Sequence, residues 1–207
     1  MKASHMRKFK IQNAKWKILL ILLFSFVILD FPVFAAWFGL EDCPNHAGEQ
    51  TNYASTIRFQ APEDGTSTHL EMRTYGTVGA GSFRMAVYDD ENGHPKNKLW
   101  EGTDITYNPG QWCGEDVTTI QLEKDKYYWF GFKTSTNLQM CYVPNGPFGC
   151  HEWKSGQPFG NPFPDPWGNY SGRNANRCTM RMHYETEKKG KGVIEIDPGI
   201  IEGGFVR

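Results

Sequence analysis

The chain between residues 52 and 185 alternates apolar and polar residues in short runs that are separated by turn-forming residues. No window in this region has the period of an amphipathic helix, whereas alternation with period two is typical of strands with one buried face. The runs predicted as strands are residues 52–59, 68–75, 82–89, 99–107, 116–122, 126–134, 139–143 and 178–185. The pattern therefore predicts an all-β protein, a two-layer antiparallel β-sandwich of jelly-roll type with about eight strands.

The same alternation assigns side chains to the core. In two of the predicted strands, the residues on the apolar face are Tyr128, Phe130, Phe132, Cys178, Met180, Met182 and Tyr184. Positions of this kind supply enough apolar surface for one core, so a second domain is not needed. Aromatic rings in the loops then remain available for a ligand.

The amino-terminal region has a different composition. A basic stretch is followed by residues 18–29, which carry no charge, and then by the small residues Ala35 and Ala36. This order is typical of a secretory signal peptide that is cleaved after Ala35 or Ala36. Alternatively, the apolar stretch continues to Leu40 with Asp30 as its one charge, which is long enough to anchor the chain in a membrane.

Both interpretations predict that the domain is secreted or lies at the extracellular cell surface, with membrane contact only if the apolar segment is retained. The sequence SHM at residues 4–6 is typical of a cloning remnant. We therefore divide the chain into a remnant with a signal peptide or anchor at 1–36, a β-sandwich domain at 37–185, and a linker with an apolar β-like tail at 186–207.

The tail contains two short β-like runs, residues 193–196 and 200–201, after a charged linker punctuated by glycine. Such runs are expected to pair, either with an edge of the same sheet or with a neighbouring subunit. Self-association through the tail leaves a second function open, that of a structural subunit in an extracellular filament or surface layer assembled by β-strand addition.

The charge of the chain is nearly balanced, with 22 Lys and Arg against 23 Asp and Glu. A nucleic-acid partner requires a basic field that holds the phosphates. The composition therefore predicts no nucleic-acid partner.

The five cysteines fit an oxidising compartment and leave one residue, here Cys113, without an assigned partner. Cys141 and Cys150 flank a short Pro/Gly loop whose ends can approach each other, so we predict a disulfide between them. A bond between Cys43 and Cys178 would tie the start of the domain to its last strand. Zinc is the alternative, but the sequence has neither a CxxC motif nor a paired histidine spacing.

The stretch FRMAVYDDENGHPKNKLWEG at residues 83–102 is followed by GQW and then by KDKYYWFGF. In this order it resembles β-sandwich modules of exported bacterial and archaeal surface proteins. The resemblance covers residues 50–185 and implies a jelly-roll-like fold with a role in glycan binding or surface adhesion. It supplies no catalytic residues.

The loop GQPFGNPFPDPWGNY, residues 156–170, is too rich in proline and glycine for regular structure. We expect Phe159 and Phe163 to be buried as a lid, and the amphipathic rings to face water as a platform. The predicted ligand-binding residues are Trp153, Asn161, Asp165, Trp167, Asn169 and Tyr170. Flat rings can cover a sugar while the polar groups bind its hydroxyls, which predicts a non-catalytic module that binds a glycan or a surface polymer.

The acidic residues Asp89, Asp90 and Glu91 precede Asn92 and Gly93. Carboxylates in a sharp turn can bind calcium, and the alternative is a hairpin turn in which Asn92 and Gly93 supply positive φ angles. No other cofactor is expected.

No catalytic motif is present in the sequence, because His151-Glu152 lacks a second histidine at zinc-protease spacing and no serine lies in a GxSxG turn. We therefore predict that the protein is not an enzyme. Glu152 with Asp165 leaves a glycoside hydrolase as a third function.

Overall fold

The computed structural model describes residues 35–49, 51–76 and 80–186, which form strands and loops without a helix. The strands in chain order are β1 (Ala35–Gly39), β2 (Asn45–Glu49), β3 (Tyr53–Gln60), β4 (Gly65–Arg73), β5 (Ser82–Glu91), β6 (His94–Glu101), β7 (Ile105–Thr106), β8 (Trp112–Asp116), β9 (Gln121–Leu122), β10 (Tyr127–Thr134), β11 (Leu138–Val143), β12 (His151–Ser155), β13 (Gly172–Asn174), β14 (Arg177–Cys178) and β15 (Met180–Thr186). The prediction of an all-β fold is confirmed.

Two antiparallel sheets form the layers of the sandwich. The smaller has the order β1-β15-β4-β8, with β9 also paired to β4, and the larger has the order β13-β12-β3-β10-β5-β6, with β7 also paired to β5. The described part of the chain has more strands than the eight predicted runs. Most of the additional strands are five residues or shorter, so they are too short to show a clear period.

The main core lies between these sheets and contains the side chains that the alternation predicted. The buried members that belong to the predicted faces include Ile57, Leu70, Met72, Phe83, Met85, Val87, Tyr128, Phe130, Phe132, Met180, Met182 and Tyr184. Full burial of one such side chain stabilises the fold by about 1.5–3 kcal/mol, so this cluster is a large part of the driving force for folding.

A third, small sheet of order β14-β11-β2 brings Cys43 close to Cys141. Their Cα atoms are 4.9 Å apart and the two residues form a disulfide, so the predicted bonds Cys141–Cys150 and Cys43–Cys178 are wrong. The reason is the strand register. Cys141 lies opposite His46 of β2, and His46 is three residues after Cys43. Cys150, in contrast, lies immediately before β12 of the larger sheet.

The loop of residues 156–170, which we call the cover loop, packs on the outer face of the larger sheet. Its residues Phe163 and Trp167 join Ala86, Tyr88 and Trp129 in a separate buried cluster, which also includes Ala54. We call this cluster the second core. Because the cover loop shields this face, the central strands of the larger sheet are buried on both sides.

Of the predicted signal peptide or anchor, residues 1–34 lie outside the described residues, and Ala35 and Ala36 begin β1. The predicted apolar tail also lies outside the described residues. Within the described ranges, no helix has the length and hydropathy needed to cross a membrane.

Candidate functional site

The cover loop does not present its tryptophan to solvent. Trp167 is 0% exposed and packs edge-on against Tyr88, with ring centroids 5.3 Å apart. The expectation that Trp167 faces water is therefore wrong, because its indole fills the second core. Phe163 is buried as predicted, and Phe159 is half-buried with Arg84 5.4 Å from its ring centroid.

None of the other predicted ligand-binding residues lines either of the two cavities described below. Asn161, Asp165, Asn169 and Tyr170 are exposed, and Trp153 is half-buried beside His151. Asp165 accepts a hydrogen bond from the backbone N–H of Lys98. Of this set, Tyr170 is the residue that lies beside the cleft described below, where its ring stacks on that of His94 at 5.6 Å.

Charged side chains and backbone groups hold the cover loop on the sheet. The ammonium group of Lys133 donates to the carbonyl oxygens of Asn161 and Pro162 at 3.2 and 3.0 Å. The hydroxyl of Tyr88 donates to the carbonyl of Pro164 at 2.8 Å. A loop fastened at several points acts as a structural cover of this face of the sheet.

Exposed aromatic rings meet at one end of the sandwich instead. Among the described residues, the large apolar side chains that remain exposed are Trp37, Tyr75, Leu99, Tyr127, Phe148 and Tyr170. Three of them, Trp37, Tyr127 and Phe148, line a cavity of about 560 Å³ where β3 ends and β10 begins. We call this cavity the end cleft.

The end cleft also contains cationic side chains. It is lined by Arg58, His94, Arg173 and Arg177, and by no aspartate or glutamate of the described ranges. Aromatic rings combined with planar guanidinium groups can stack on a ligand and donate hydrogen bonds to it at the same time. This is the combination that a polar ligand with apolar faces requires.

Arg58 is held in the cleft floor by Asp90. The guanidinium donates from Nε and Nη2 to the two carboxylate oxygens at 2.7 and 3.0 Å, and Trp129 Nε1 donates to the same carboxylate at 2.7 Å. Arg58 also lies over the ring of Tyr127, with 3.8 Å between Cζ and the ring centroid. The bidentate pair therefore fixes both an arginine and an aromatic wall of the cleft.

A second carboxylate lies behind the cleft. Glu152 is fully buried, and its Oε1 is 2.7 Å from Nδ1 of His94 and 3.6 Å from Nη2 of Arg173. Burial raises the pKa of this carboxyl, and the nearby His94 and Arg173 oppose that effect. By contacting both side chains, Glu152 orients His94 and Arg173 in the lining of the cleft.

The loop between β11 and β12 shapes the wall that carries Phe148. Its backbone N–H groups at Gly146 and Gly149 donate to the carbonyls of Ala175 and Asn174 at 2.7 and 3.0 Å. A Cβ at position 149 would lie 2.1 Å from Nη2 of Arg173, and φ at this residue is +82°. Glycine is therefore required at position 149 for the guanidinium to lie against the loop.

The acidic turn that was a candidate for calcium is the hairpin between β5 and β6. Asn92 and Gly93 have φ angles of 57° and 80°, as the alternative interpretation predicted. Asp90 is bound by Arg58, Asp89 accepts hydrogen bonds from Asn97, and Glu91 pairs with Lys96. Within the described ranges, no three His, Cys, Asp or Glu side chains are grouped as a metal would require.

A second cavity, of about 670 Å³, lies on the other side of Tyr127. The charged residues that line it are Asp89, Asp90, Glu123 and Lys126. Its carboxylates give it the opposite charge to the end cleft, so the two cavities do not favour the same ligand.

The two carboxylates considered for glycoside cleavage have different surroundings. Glu152 is buried in its pair with His94, while Asp165 lies on the cover loop and does not line the end cleft. The described residues of the end cleft offer rings that can stack on a ligand and side chains that can donate hydrogen bonds to it.

The residues of the end cleft were not predicted from the sequence. Phe148 carried a usable signal, because it is an aromatic residue in a Pro/Gly loop and meets the criterion that was applied to Trp167. Trp37 is the first residue of the predicted β-sandwich domain and belongs to no predicted strand, and Arg58 and Tyr127 lie within predicted strands. Only the fold brings these positions together.

Comparisons with known proteins give a limited result. No protein-family model matches the chain, and no curated protein does. A solved structure of the clostridial cysteine protease Cwp84 after propeptide cleavage is similar over 76% of this chain and 41% of that chain, with a TM-score of 0.51 and 13% identity. A second structure contains the cysteine protease and lectin-like domains of Cwp84, a surface layer associated protein of Clostridium difficile, with a TM-score of 0.46 and 16% identity over 76% of this chain and 37% of that chain.

At this level of identity the likeness to Cwp84 concerns the fold alone. The chain spans about two fifths of the length of the solved Cwp84 chain. This protein therefore has a β-rich fold that resembles part of Cwp84.

Proposed function

We propose that this protein is an exported, non-catalytic β-sandwich module of a cell surface that binds a glycan in the end cleft. The observation that carries the proposal is the meeting of Trp37, Tyr127 and Phe148 around one cavity. Phe148 is 79% exposed, and the exposure of its apolar ring to water is unfavourable. A ligand that stacks on the ring would remove this unfavourable hydration. The proposed binding site is therefore the end cleft, whereas the sequence predicted it on the cover loop.

The proposed location rests on two features of the chain. The amino-terminal segment has the layout of a secretory signal or anchor, and the Cys43–Cys141 disulfide is typical of an oxidising compartment. Cwp84 is itself described as a surface layer associated protein, which is consistent with this location.

Absence of catalysis is part of the proposal. The buried carboxylate nearest the cleft, Glu152, is engaged by His94 and Arg173, an arrangement suited to holding two cleft residues in place. The protease activity named for Cwp84 belongs to that protein.

The test is a glycan-array screen followed by titration of the best ligand against Phe148→Ala. Because Phe148 is almost fully exposed, its removal is expected to weaken binding at least tenfold and to leave the free energy of unfolding within about 0.5 kcal/mol of wild type.

Tyr75→Ala is the matched control, because Tyr75 is 37% exposed, close to the 38% of Tyr127, and does not line the end cleft. It should bind as wild type does. Binding that survives Phe148→Ala and Tyr127→Ala unchanged, or a wild-type protein that binds no glycan, would overturn the proposal.

A further inference from the structure

The charges around the end cleft do not balance. Three arginines line it, Arg58, Arg173 and Arg177, and two carboxylates pair with them, the half-buried Asp90 with Arg58 and the buried Glu152 with Arg173. Three guanidinium groups against two carboxylates leave an excess of one positive charge. Because none of the described carboxylates lines the cavity itself, the excess faces the ligand.

Arg177 is the source of this excess. Within the part of the chain that the structure describes, Arg58 pairs with Asp90 and Arg173 with Glu152, but no carboxylate lies within ion-pair distance of Arg177. Its Nε is buried and has no hydrogen-bond acceptor among the described residues. A guanidinium that is partly desolvated and lacks an anion is suited to receive one from a ligand.

The backbone holds Arg177 in this position. The residue begins β14, where it lies opposite Val143, and its side chain runs along Gly146. A Cβ at position 146 would lie 2.9 Å from Nε of Arg177, so glycine permits the close approach. The charge is therefore fixed before a ligand arrives, which reduces the entropy lost on binding.

The second arginine, Arg173, is engaged by neighbouring groups but keeps part of its capacity to bind a ligand. It lies 3.6 Å from Glu152, donates to the carbonyl of Gly149 at 3.2 Å, and is 5.7 Å from the ring centroid of Phe148. Its Nε is also buried without an acceptor among the described residues. Arg173 thus lies near Phe148, the most exposed ring of the cleft, and lines the same cavity as Arg177.

We propose that the ligand of the end cleft is an acidic polysaccharide whose sugars carry carboxylate or phosphate groups, with Arg177 and Arg173 binding the anion beside the ring on Phe148. This inference rests on the proposed glycan-binding function and adds the charge of the ligand. Carboxylate and phosphate both present oxygen atoms that match the guanidinium donors, so the test includes each.

The experiment is calorimetric titration of the full chain with four probes in two matched pairs. Oligogalacturonate is compared with the same oligosaccharide after methyl esterification, which removes the charge and keeps the sugar backbone. Phosphorylated dextran is compared with dextran. We expect one acidic probe to bind at least tenfold more tightly than its neutral partner, and its affinity to fall as salt is raised.

Variants then locate the charge that is responsible. Arg177→Gln should weaken binding of the acidic probe at least fivefold without changing binding of the neutral probe, and Arg177→Lys should restore part of the loss. Lys124→Gln is the matched control, because it removes one positive charge from an exposed residue that does not line the end cleft. It should bind as wild type does.

The outcomes separate this inference from the proposed function. If both members of each pair bind with equal affinity and Phe148→Ala weakens that binding, the inference of an acidic ligand is wrong and the proposal of glycan binding is retained. Failure of all four probes would count against both. Binding of poly-glutamate as tightly as the acidic sugar, with no loss on Phe148→Ala, would replace the polysaccharide with an acidic peptide.

Discussion

At the scale of single residues, Lys133 shows how a charge can serve the fold. It is fully buried, donates to two carbonyls of the cover loop, and lies 4.9 Å from the ring centroid of Phe163. Burial lowers the pKa of its ammonium group to about 8 from an ordinary value of 10.5.

This lowered pKa predicts a specific pH dependence of stability. Between pH 8 and 10.5 the unfolded chain binds more protons at this lysine than the folded chain, so the contribution of Lys133 to the free energy of unfolding rises with pH. Below about pH 8 that contribution is constant. From pH 8 to 10, urea unfolding should therefore show wild type gaining about 1–2 kcal/mol relative to Lys133→Met.

Comparison with the variant removes the effect of other titrating groups, such as the buried tyrosines with raised pKa values, because both proteins contain them. Parallel pH profiles for the two proteins would show that Lys133 titrates as it does in water.

At the scale of elements, the sequence predicted which residues share a face of a strand, but it did not predict what packs against each face. Period two assigned Tyr128, Phe130 and Phe132 to the core correctly, since this depends only on local geometry. The intervening Trp129 was expected to face outward, where the cover loop buries it. A signal was present, because residues 127–132 form a continuous apolar run, which is typical of strands covered on both faces.

The burial of Trp167 predicts the energetic role of the cover loop. Trp167→Ala and Phe163→Ala should each lower the free energy of unfolding by about 3–5 kcal/mol, because each leaves a large cavity in the second core. Tyr170→Ala, in the same loop but exposed, should cost less than about 0.5 kcal/mol. If Trp167→Ala were as stable as Tyr170→Ala in urea unfolding, the loop would not be a structural cover.

At the scale of the whole molecule, the end cleft could not be predicted because its parts are distant in sequence. Trp37, Arg58, Tyr127, Phe148 and Arg177 belong to different strands and loops. Their proximity depends on strand order and register, which alternation alone does not specify. The balanced net charge of −1 likewise gave no indication that three arginines would line one cavity.

The disulfide acts on the whole molecule as well. Cys43 and Cys141 are separated by 98 positions, so their bond restricts a large part of the unfolded chain. Reduction is expected to lower the free energy of unfolding by about 2–4 kcal/mol. The double variant Cys43→Ala/Cys141→Ala should already have the lower stability and should not respond to reductant. Peptide mapping that joined Cys141 to Cys150 would contradict the connectivity described here.

The position of β1 determines how the domain responds to pulling. Among the described strands β1 pairs with β15 alone, and Ala35 lies opposite Glu185, so the chain enters β1 and leaves β15 at the same end of the sheet. Tension between these two points loads the hydrogen-bonded pairs one after another, as in opening a zip. Trp37 is the third residue in that order and is also a wall of the end cleft. We therefore expect the first step of such an extension to separate β1 from β15 and to remove a wall of the cleft.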